Sequence, residues 1–383
     1  MSSRTIVVAG ALAQRPHRGG HAWVFLQYLL GFRRLGFDVL FVDRLAREWC
    51  VDESGEQVAP EHSRQVSYLD EVMRAVEPIP YAVVLDDGGV VGMEPSELAN
   101  RLRGSVLMLD VMGYLAGEEL LAAVPVRVFL DIDPGFPQMW CELGWADGFG
   151  RHDAYVTVGG NVGKPECTIP TCGIDWITML PPVVQDLWPE QRRPGRRVTS
   201  VATWRGPFAS LDYLGATYGL RAHEFRRFTS LPERCEESFE LALDIDASDG
   251  NDRRLLTESG WRLVDPLLVA SDVRTYRDYV QDSRCELMVA KGMYVRSRSG
   301  WFSDRSACYL ASGRPVVAQD TGMSEVLPVG EGLLCFSTLD EAVEAFARIR
   351  RDDDLHRRAA RKLAEGWFSS DIVLGGLLER LGT

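Results

Sequence analysis

The sequence predicts an α/β protein built as two Rossmann-like, doubly wound domains that face each other across a cleft. Three observations carry that expectation. At 383 residues the chain is too long for one ordinary core and fits two domains of about 190 residues each. Short β-branched runs alternate with helical periodicities along its whole length, the pattern of a parallel sheet with crossover helices. Acidic and glycine residues stand just past the strand ends, where such sheets bind ligands.

Ile6–Gly10 reads as a buried parallel strand ending on glycine. With Arg4 before it, this start mimics a short signal peptide, but the strand–loop–helix pattern continues through it without a break. A loop ending RPHRGG leads into a helix over Ala22–Leu35, which Gly36 stops; Asp38–Asp43 is the next strand. Strands follow at Tyr81–Leu85, Val106–Leu109, Val126–Leu130 and Ala154–Val158, with a helix at Glu97–Leu102. Around 181–197 the composition turns proline-rich and charged without period, which marks an interdomain linker. A second series has strands at Val198–Thr203, Phe239–Leu243, Trp261–Val264, Glu286–Val289, Pro315–Ala318 and Gly332–Phe336. Its helices are Val273–Asp282, Asp304–Ala311, Leu339–Ile349, Leu355–Leu363 and Ile372–Leu381.

Composition narrows the function classes. Forty-two basic against 55 acidic residues give a formal charge of −13. That argues against a nucleic-acid coat or a grip on anionic membrane, which need a basic surface. A small phosphorylated ligand needs only a local cluster of donors and stays allowed. No apolar run approaches the roughly 18 residues of a spanning helix, so stable membrane insertion is not expected. Eight scattered cysteines without a Cys-x-x-Cys make zinc or a disulfide framework an unlikely design, and a reducing cytoplasm the default setting.

The most informative stretch runs from Lys291 to Gly322. Lys291, Arg296 and Arg298 share a loop with Ser299 and Gly300, just before a helix that opens at Asp304. Such a loop offers backbone N–H groups, cations and a helix N-terminus to an anion, and a pyrophosphate is its natural guest. A solvated loop face with rim salt bridges is the bland alternative for the same arginines. Trp204-Arg205-Gly206, at the first strand end of the second series, is a further phosphate contact or a plain surface turn.

Ala311-Ser-Gly313-Arg-Pro315-Val-Val-Ala318, followed by Asp320-Thr321-Gly322 and Glu325, resembles the C-terminal nucleotide-sugar motif of GT-B glycosyltransferases. Gly19-Gly20-His21 before a helix, Gly36-Phe-Asp-Val before a strand, and a last helix after Trp367-Phe368 resemble the same superfamily in order. The segments Asp131–Phe136, Gly160–Gly163 and Arg298–Ala307 are similar to motifs of one bacterial group within it. The resemblance implies an acceptor domain over 1–190, a nucleotide-sugar domain over 191–366, and a helix over 367–383 that crosses back. It also implies a nucleoside-diphosphate sugar as donor, a small-molecule acceptor such as a natural product, and no metal or other cofactor. One departure stands out: the Glu-x7-Glu positions of many retaining members hold Gly300 and Cys308. Asp304, four residues before Cys308 on the same helix face, can take over a ribose contact.

The expected donor site therefore comprises Gly20, Arg205, Lys291, Arg296, Arg298, Ser299, Gly300, Asp304, Thr321 and Gly322. The expected catalytic pair is His21, as base, and Asp133. Of Asp131 and Asp133, one would cap the Pro-Gly turn while the other faces the acceptor or orients His21. Tyr114, Phe136 and Trp140 are expected acceptor contacts, with a hydrophobic cluster under loops as the alternative. Beside the transferase stand a nucleotide-sugar binder without transfer, suggested by the missing Glu pair, and a sugar-nucleotide epimerase of the same fold. A dinucleotide oxidoreductase needs Gly-x-Gly-x-x-Gly after the first strand, which AGALAQRPHRGG does not supply.

Overall fold

The computed structural model describes residues 4–115, 122–146, 149–150, 152–191 and 195–383. Residues 192–194, within the expected linker, lie outside them. The first sheet has eight strands: β1 (Thr5–Ala9), β2 (Asp38–Leu45), β3 (Tyr81–Leu85), β4 (Val90–Val91), β5 (Ser105–Val111), β6 (Arg127–Asp131), β7 (Ala154–Thr157) and β8 (Trp176–Thr178). Their order is β4-β3-β2-β1-β5-β6-β7-β8, parallel except for the short edge strand β4. The chain reverses its direction of growth between β1 and β5, and that gap is the first sheet's ligand crevice.

After β9 (Val198–Thr203) comes a hairpin of β10 (Leu211–Tyr213) and β11 (Ala216–Tyr218). The second sheet continues through β12 (Phe239–Asp244), β13 (Arg262–Val264), β14 (Cys285–Met288), β15 (Val316–Gln319) and β16 (Leu333–Phe336). Its order β13-β12-β9-β14-β15-β16 is wholly parallel and reverses between β9 and β14. The inner strands β14 and β15 are buried on both faces, which explains why they read as continuous apolar runs. The chain is thus two doubly wound α/β sheets, as the alternation of elements predicts.

Helix packing and backbone pairing help to hold the halves together. Helix Gly19–Arg34 packs against helix Val273–Gln281, with the Trp23 indole N–H donating to Val273 O at 2.8 Å. Helix Ser370–Leu381 returns to pack on helix Gly19–Arg34, burying Leu374, Leu377 and Leu378. Val183 exchanges backbone hydrogen bonds with Phe368 (2.7 Å) and Ser370 (2.9 Å), so the start of the linker is pinned rather than loose.

The segment Gly292–Ser297 departs from the sequence reading. It is one and a half turns of helix rather than an open loop. Arg298 closes it in the left-handed region at φ 52°.

Candidate functional site

The two crevices face each other. On the second sheet, Arg221 opens the short helix Arg221–Phe225 and reaches across the reversal point. Its guanidinium donates to Thr203 O at the end of β9 and to Val289 O just past β14, both at 3.1 Å. Burial pulls its pKa down to about 10, with the nearby Arg305 adding to the effect; it remains a cation at neutral pH. Lys291 stands two residues farther on. Its ammonium lies over the rings of Tyr294 (5.2 Å), Phe136 (5.4 Å) and Phe208 (5.7 Å). Burial lowers its pKa, and Asp133 opposes that shift.

Asp133 comes from the other half, just past β6. One carboxylate oxygen pairs with Lys291 and the other accepts from the Tyr294 hydroxyl. Asp131 below it is fully buried. It accepts from Gln138 Nε2 (2.6 Å), Thr157 Oγ1 (2.8 Å) and the Asp133 N–H (3.0 Å), so it caps the turn that presents Asp133. Burial pushes its pKa up to about 6. Two cations and one presented carboxylate thus meet where the sheets' carboxyl ends converge.

On the first sheet, Asp43, two residues before the end of β2, shapes the loop after β1. It accepts from the N–H groups of Leu12 (2.8 Å) and Ala13 (2.6 Å), and burial pushes its pKa up to about 7. The loop so held turns Ala11 O toward His21, whose Nε2 lies 2.7 Å away. A carbonyl only accepts, so Nε2 carries the proton and the lone pair is on Nδ1. Nδ1 has no hydrogen-bond partner among the described residues. Burial, with a backbone hydrogen bond opposing it and Arg15 and Arg18 adding to it, holds the imidazole pKa at about 4. His21 is therefore neutral at physiological pH. Arg18 reaches across to Asp244 at the end of β12 (2.7 Å), which puts this loop at the mouth of the cleft. Asp133 does not orient His21; both of its oxygens are taken by Lys291 and Tyr294.

The predicted diphosphate loop packs on the other half of the chain. Asn161, within the Gly160–Gly163 motif, inserts between its two strands. Its Nδ2 donates to Arg298 O (3.1 Å) and Gly322 O (3.0 Å), and its backbone N–H to Ser299 O (3.0 Å). Gly300 and Gly322 sit at φ 70° and 87°, and a Cβ on either would lie 2.8 Å from Asn161 atoms. The backbone donors of this loop are engaged: Ser299 N–H to Tyr294 O, Gly300 N–H to Thr321 O, Gly322 N–H to Asp320 Oδ1. Ser299 and Thr321 are buried, and the Thr321 hydroxyl donates to Trp301 O. Ser299, Gly300, Thr321 and Gly322 thus form a seam between the halves, with these backbone donors engaged within the chain.

The remaining expected donors are dispersed. Arg205 forks onto Asp249, Nε–Oδ2 2.8 Å and Nη2–Oδ1 2.5 Å. Arg296 lies beside the Tyr218 ring, and Arg298 pairs with Glu325 on the surface. Asp304 lines a small interdomain cavity with Tyr28, Gln27, Trp301 and Phe302, where burial raises its pKa. Gly20 packs against Tyr276. Among the expected acceptor contacts, Phe136 is fully buried against Phe208 (4.9 Å), with Trp140 also on Phe208 (5.0 Å). Phe136 and Phe208 together wall Lys291. Tyr114 stands apart, at the crevice of the first sheet, its hydroxyl donating to Arg44 O at 2.6 Å.

Sequence reasoning singled out Lys291, Asp133 and His21 and missed Arg221, Tyr294 and Phe208. Only Lys291-x-x-Tyr294, both ending on one carboxylate, left any local signal. Among the described residues, no group of three or more His, Cys, Asp or Glu is placed to hold a metal ion, and no helix is long and apolar enough to cross a membrane.

Neither a known family model nor a curated protein sequence matches this chain. Solved structures do. Anabaena Alr3699/HepE in complex with UDP-glucose aligns over 99% of this chain and 99% of its own, with TM-score 0.60 at 11% identity. An alpha-glucosyltransferase in complex with UDP and a 13-mer DNA aligns over 100% of both chains, with TM-score 0.58 at 11% identity. A glycosyltransferase from Rickettsia africae ESF-5 covers 99% and 98%, with TM-score 0.52 at 12% identity. At such identities the likeness establishes the fold: the two-domain GT-B arrangement these proteins share.

Proposed function

We propose that the chain is a glycosyltransferase that moves a sugar from a nucleoside-diphosphate sugar to the hydroxyl of a small acceptor, without a metal ion. The observation that carries this reading is the cation pair Arg221 and Lys291 at the reversal point of the second sheet, opposite a neutral imidazole on the first. Two of the neighbours named above, in complexes with UDP and UDP-glucose, support a nucleotide-sugar donor.

Lys291 and Arg221 are assigned to the diphosphate. Charge-assisted contacts in a site walled by Phe136 and Phe208 stabilise the charge that builds on the leaving group. His21 Nδ1 is assigned to the acceptor. It accepts the hydroxyl proton as the acceptor oxygen bonds to the anomeric carbon and the carbon–oxygen bond to the diphosphate breaks, its electron pair leaving with the phosphate. A base with a pKa of about 4 is weak. A diphosphate bound across the cleft favours the imidazolium and raises that value. Asp133 holds Lys291 and Tyr294 in place before the donor arrives.

The test is to incubate the chain with a panel of nucleoside-diphosphate sugars and hydroxyl acceptors, following nucleoside diphosphate release and product mass. The account expects release that depends on one donor and is lost in Lys291→Met. Donor binding without any release would favour a nucleotide-sugar-binding protein instead.

A further inference from the structure

The small cavity between the halves holds two polar groups that the mechanism above does not use. Helix Gly19–Arg34 supplies one wall with Tyr28, the pinned start of the linker another with Pro181 and Pro182, and the second half a third with Trp301, Phe302 and Asp304. Tyr28 is only 2% exposed, and its hydroxyl forms no hydrogen bond among the described residues. Asp304 acts electrostatically on that hydroxyl and forms no ion pair among the described residues. A phenol and a carboxyl group thus share an otherwise apolar enclosure.

The neighbours of Asp304 are committed elsewhere. Burial raises its pKa; Arg305 and the N–H groups at the helix start relieve that in part, while Glu286 adds to it. The Arg305 guanidinium pairs with Glu286 and donates to Val201 O at 2.8 Å. Gln27, also on the cavity wall, accepts from the Val184 N–H at 2.7 Å and donates to Cys308 Sγ at 3.5 Å. A carboxylate kept among apolar walls without a counter-charge is costly, and a cation removes that cost. A hard metal ion asks for about six or more oxygen ligands, which these walls do not offer. An ammonium group needs fewer: a carboxylate, a phenol oxygen and aromatic rings suffice. The enclosed space takes about one or two water-sized groups, the size of ammonium or methylammonium. A water alone would meet the hydroxyl and leave the carboxylate's charge unopposed.

We infer that this cavity binds a primary ammonium group no larger than methylammonium, held by the Asp304 carboxylate and the Tyr28 hydroxyl. Its charge answers the buried carboxylate, its N–H groups donate to both oxygens, and the rings of Trp301 and Phe302 favour a cation beside them. The group comes from a free small amine or from the amine end of a slender molecule. Tyr28 belongs to the first half and Asp304 to the second, so the bound cation ties the halves and braces the helix that carries His21. Binding here does not depend on sugar transfer.

The test is thermal melting of the whole chain in ammonium, methylammonium, n-butylammonium, tetramethylammonium and sodium chlorides at equal ionic strength. Ammonium or methylammonium should raise the melting temperature saturably, by about 3 °C or more over sodium. Tetramethylammonium is too large and has no N–H, so it should match sodium. A rise with n-butylammonium as well assigns the site to the amine end of a longer molecule; a rise confined to the two smaller cations assigns it to a free amine. Asp304→Asn keeps the shape of the side chain without its charge, so the ammonium-specific rise should vanish. Tyr28→Phe should move the midpoint of that rise to a several-fold higher concentration. Equal melting in ammonium, methylammonium and sodium, as a buried water would give, would overturn the inference. So would an ammonium-specific rise that survives Asp304→Asn or, should that variant not fold, a midpoint unchanged in Tyr28→Phe.

Discussion

Lys291→Met gives the sharpest view of the cation pair, because the same substitution perturbs stability and donor binding by different routes. Lys291 and Asp133 retain only 14% and 20% of their side-chain exposure. Removing one partner of a fully buried pair costs about 3–5 kcal/mol, since the other charge is left uncompensated. Here the residual exposure and the Tyr294 hydroxyl on Asp133 relieve part of that, and about 2–3 kcal/mol is expected. At roughly 2–4 °C per kcal/mol for domains of this size, the melting temperature should fall by several degrees. The diphosphate loses one charge-assisted contact, about 1.5–3 kcal/mol, or about a ten- to hundredfold weaker Kd. Calorimetry with a panel of nucleoside diphosphates reads the second effect and a thermal melt the first. The double variant Asp133→Asn/Lys291→Met separates them: stability should largely return while nucleotide affinity stays low. Wild-type affinity in the double variant would remove Lys291 from the donor site.

Arg221→Met should weaken nucleoside diphosphate binding at least about tenfold by calorimetry, and should also loosen the ends of β9 and β14 that the guanidinium ties. Replacing His21 by Gln keeps a group able to donate to Ala11 O but supplies no base, so turnover should drop by about 100-fold or more with donor affinity kept. The same variant reports on acid stability. The folded imidazole holds its pKa at about 4 against a model value of 6.5, so the unfolded chain binds the proton first as pH falls. Stability from this group is lost between about pH 6.5 and 4, by about 3 kcal/mol at most, and His21→Gln should lack that part of the loss. Asn161→Ala removes two interdomain hydrogen bonds and leaves two carbonyls facing each other, so the melting temperature should fall and solution scattering should show a more open molecule.

The strands were legible because a buried parallel sheet writes itself as short apolar runs, and β1, β3 and β9 begin and end within a residue of the expected limits. Gly292–Ser297 was not legible as helix. It is short, begins on glycine and contains β-branched Val295; what holds it is the Met293 N–H on Gly219 O, a contact between distant segments. The hairpin of β10 and β11 turns on Leu214-Gly215, too brief a signal to stand out. The site divides along the same line. Lys291, Asp133 and His21 sit at strand ends or loop mouths, so the topology of any doubly wound sheet points to them. Arg221 belongs to no motif; its position comes from Thr203 and Val289, 18 and 68 residues away along the chain. The Lys291–Gly322 stretch was read as an anion loop because glycines and hydroxyls signal free backbone donors. In the structure Asn161, more than 130 residues earlier, donates to carbonyls of this stretch, a contact no local pattern signals.

A structure of the chain with a bound nucleoside diphosphate tests the central claim most directly. The account predicts the diphosphate oxygens within hydrogen-bond reach of Lys291 Nζ and the Arg221 guanidinium, with His21 across the cleft. A diphosphate seated instead on the Ser299–Gly300 and Thr321–Gly322 backbone, with Asn161 withdrawn, would contradict it.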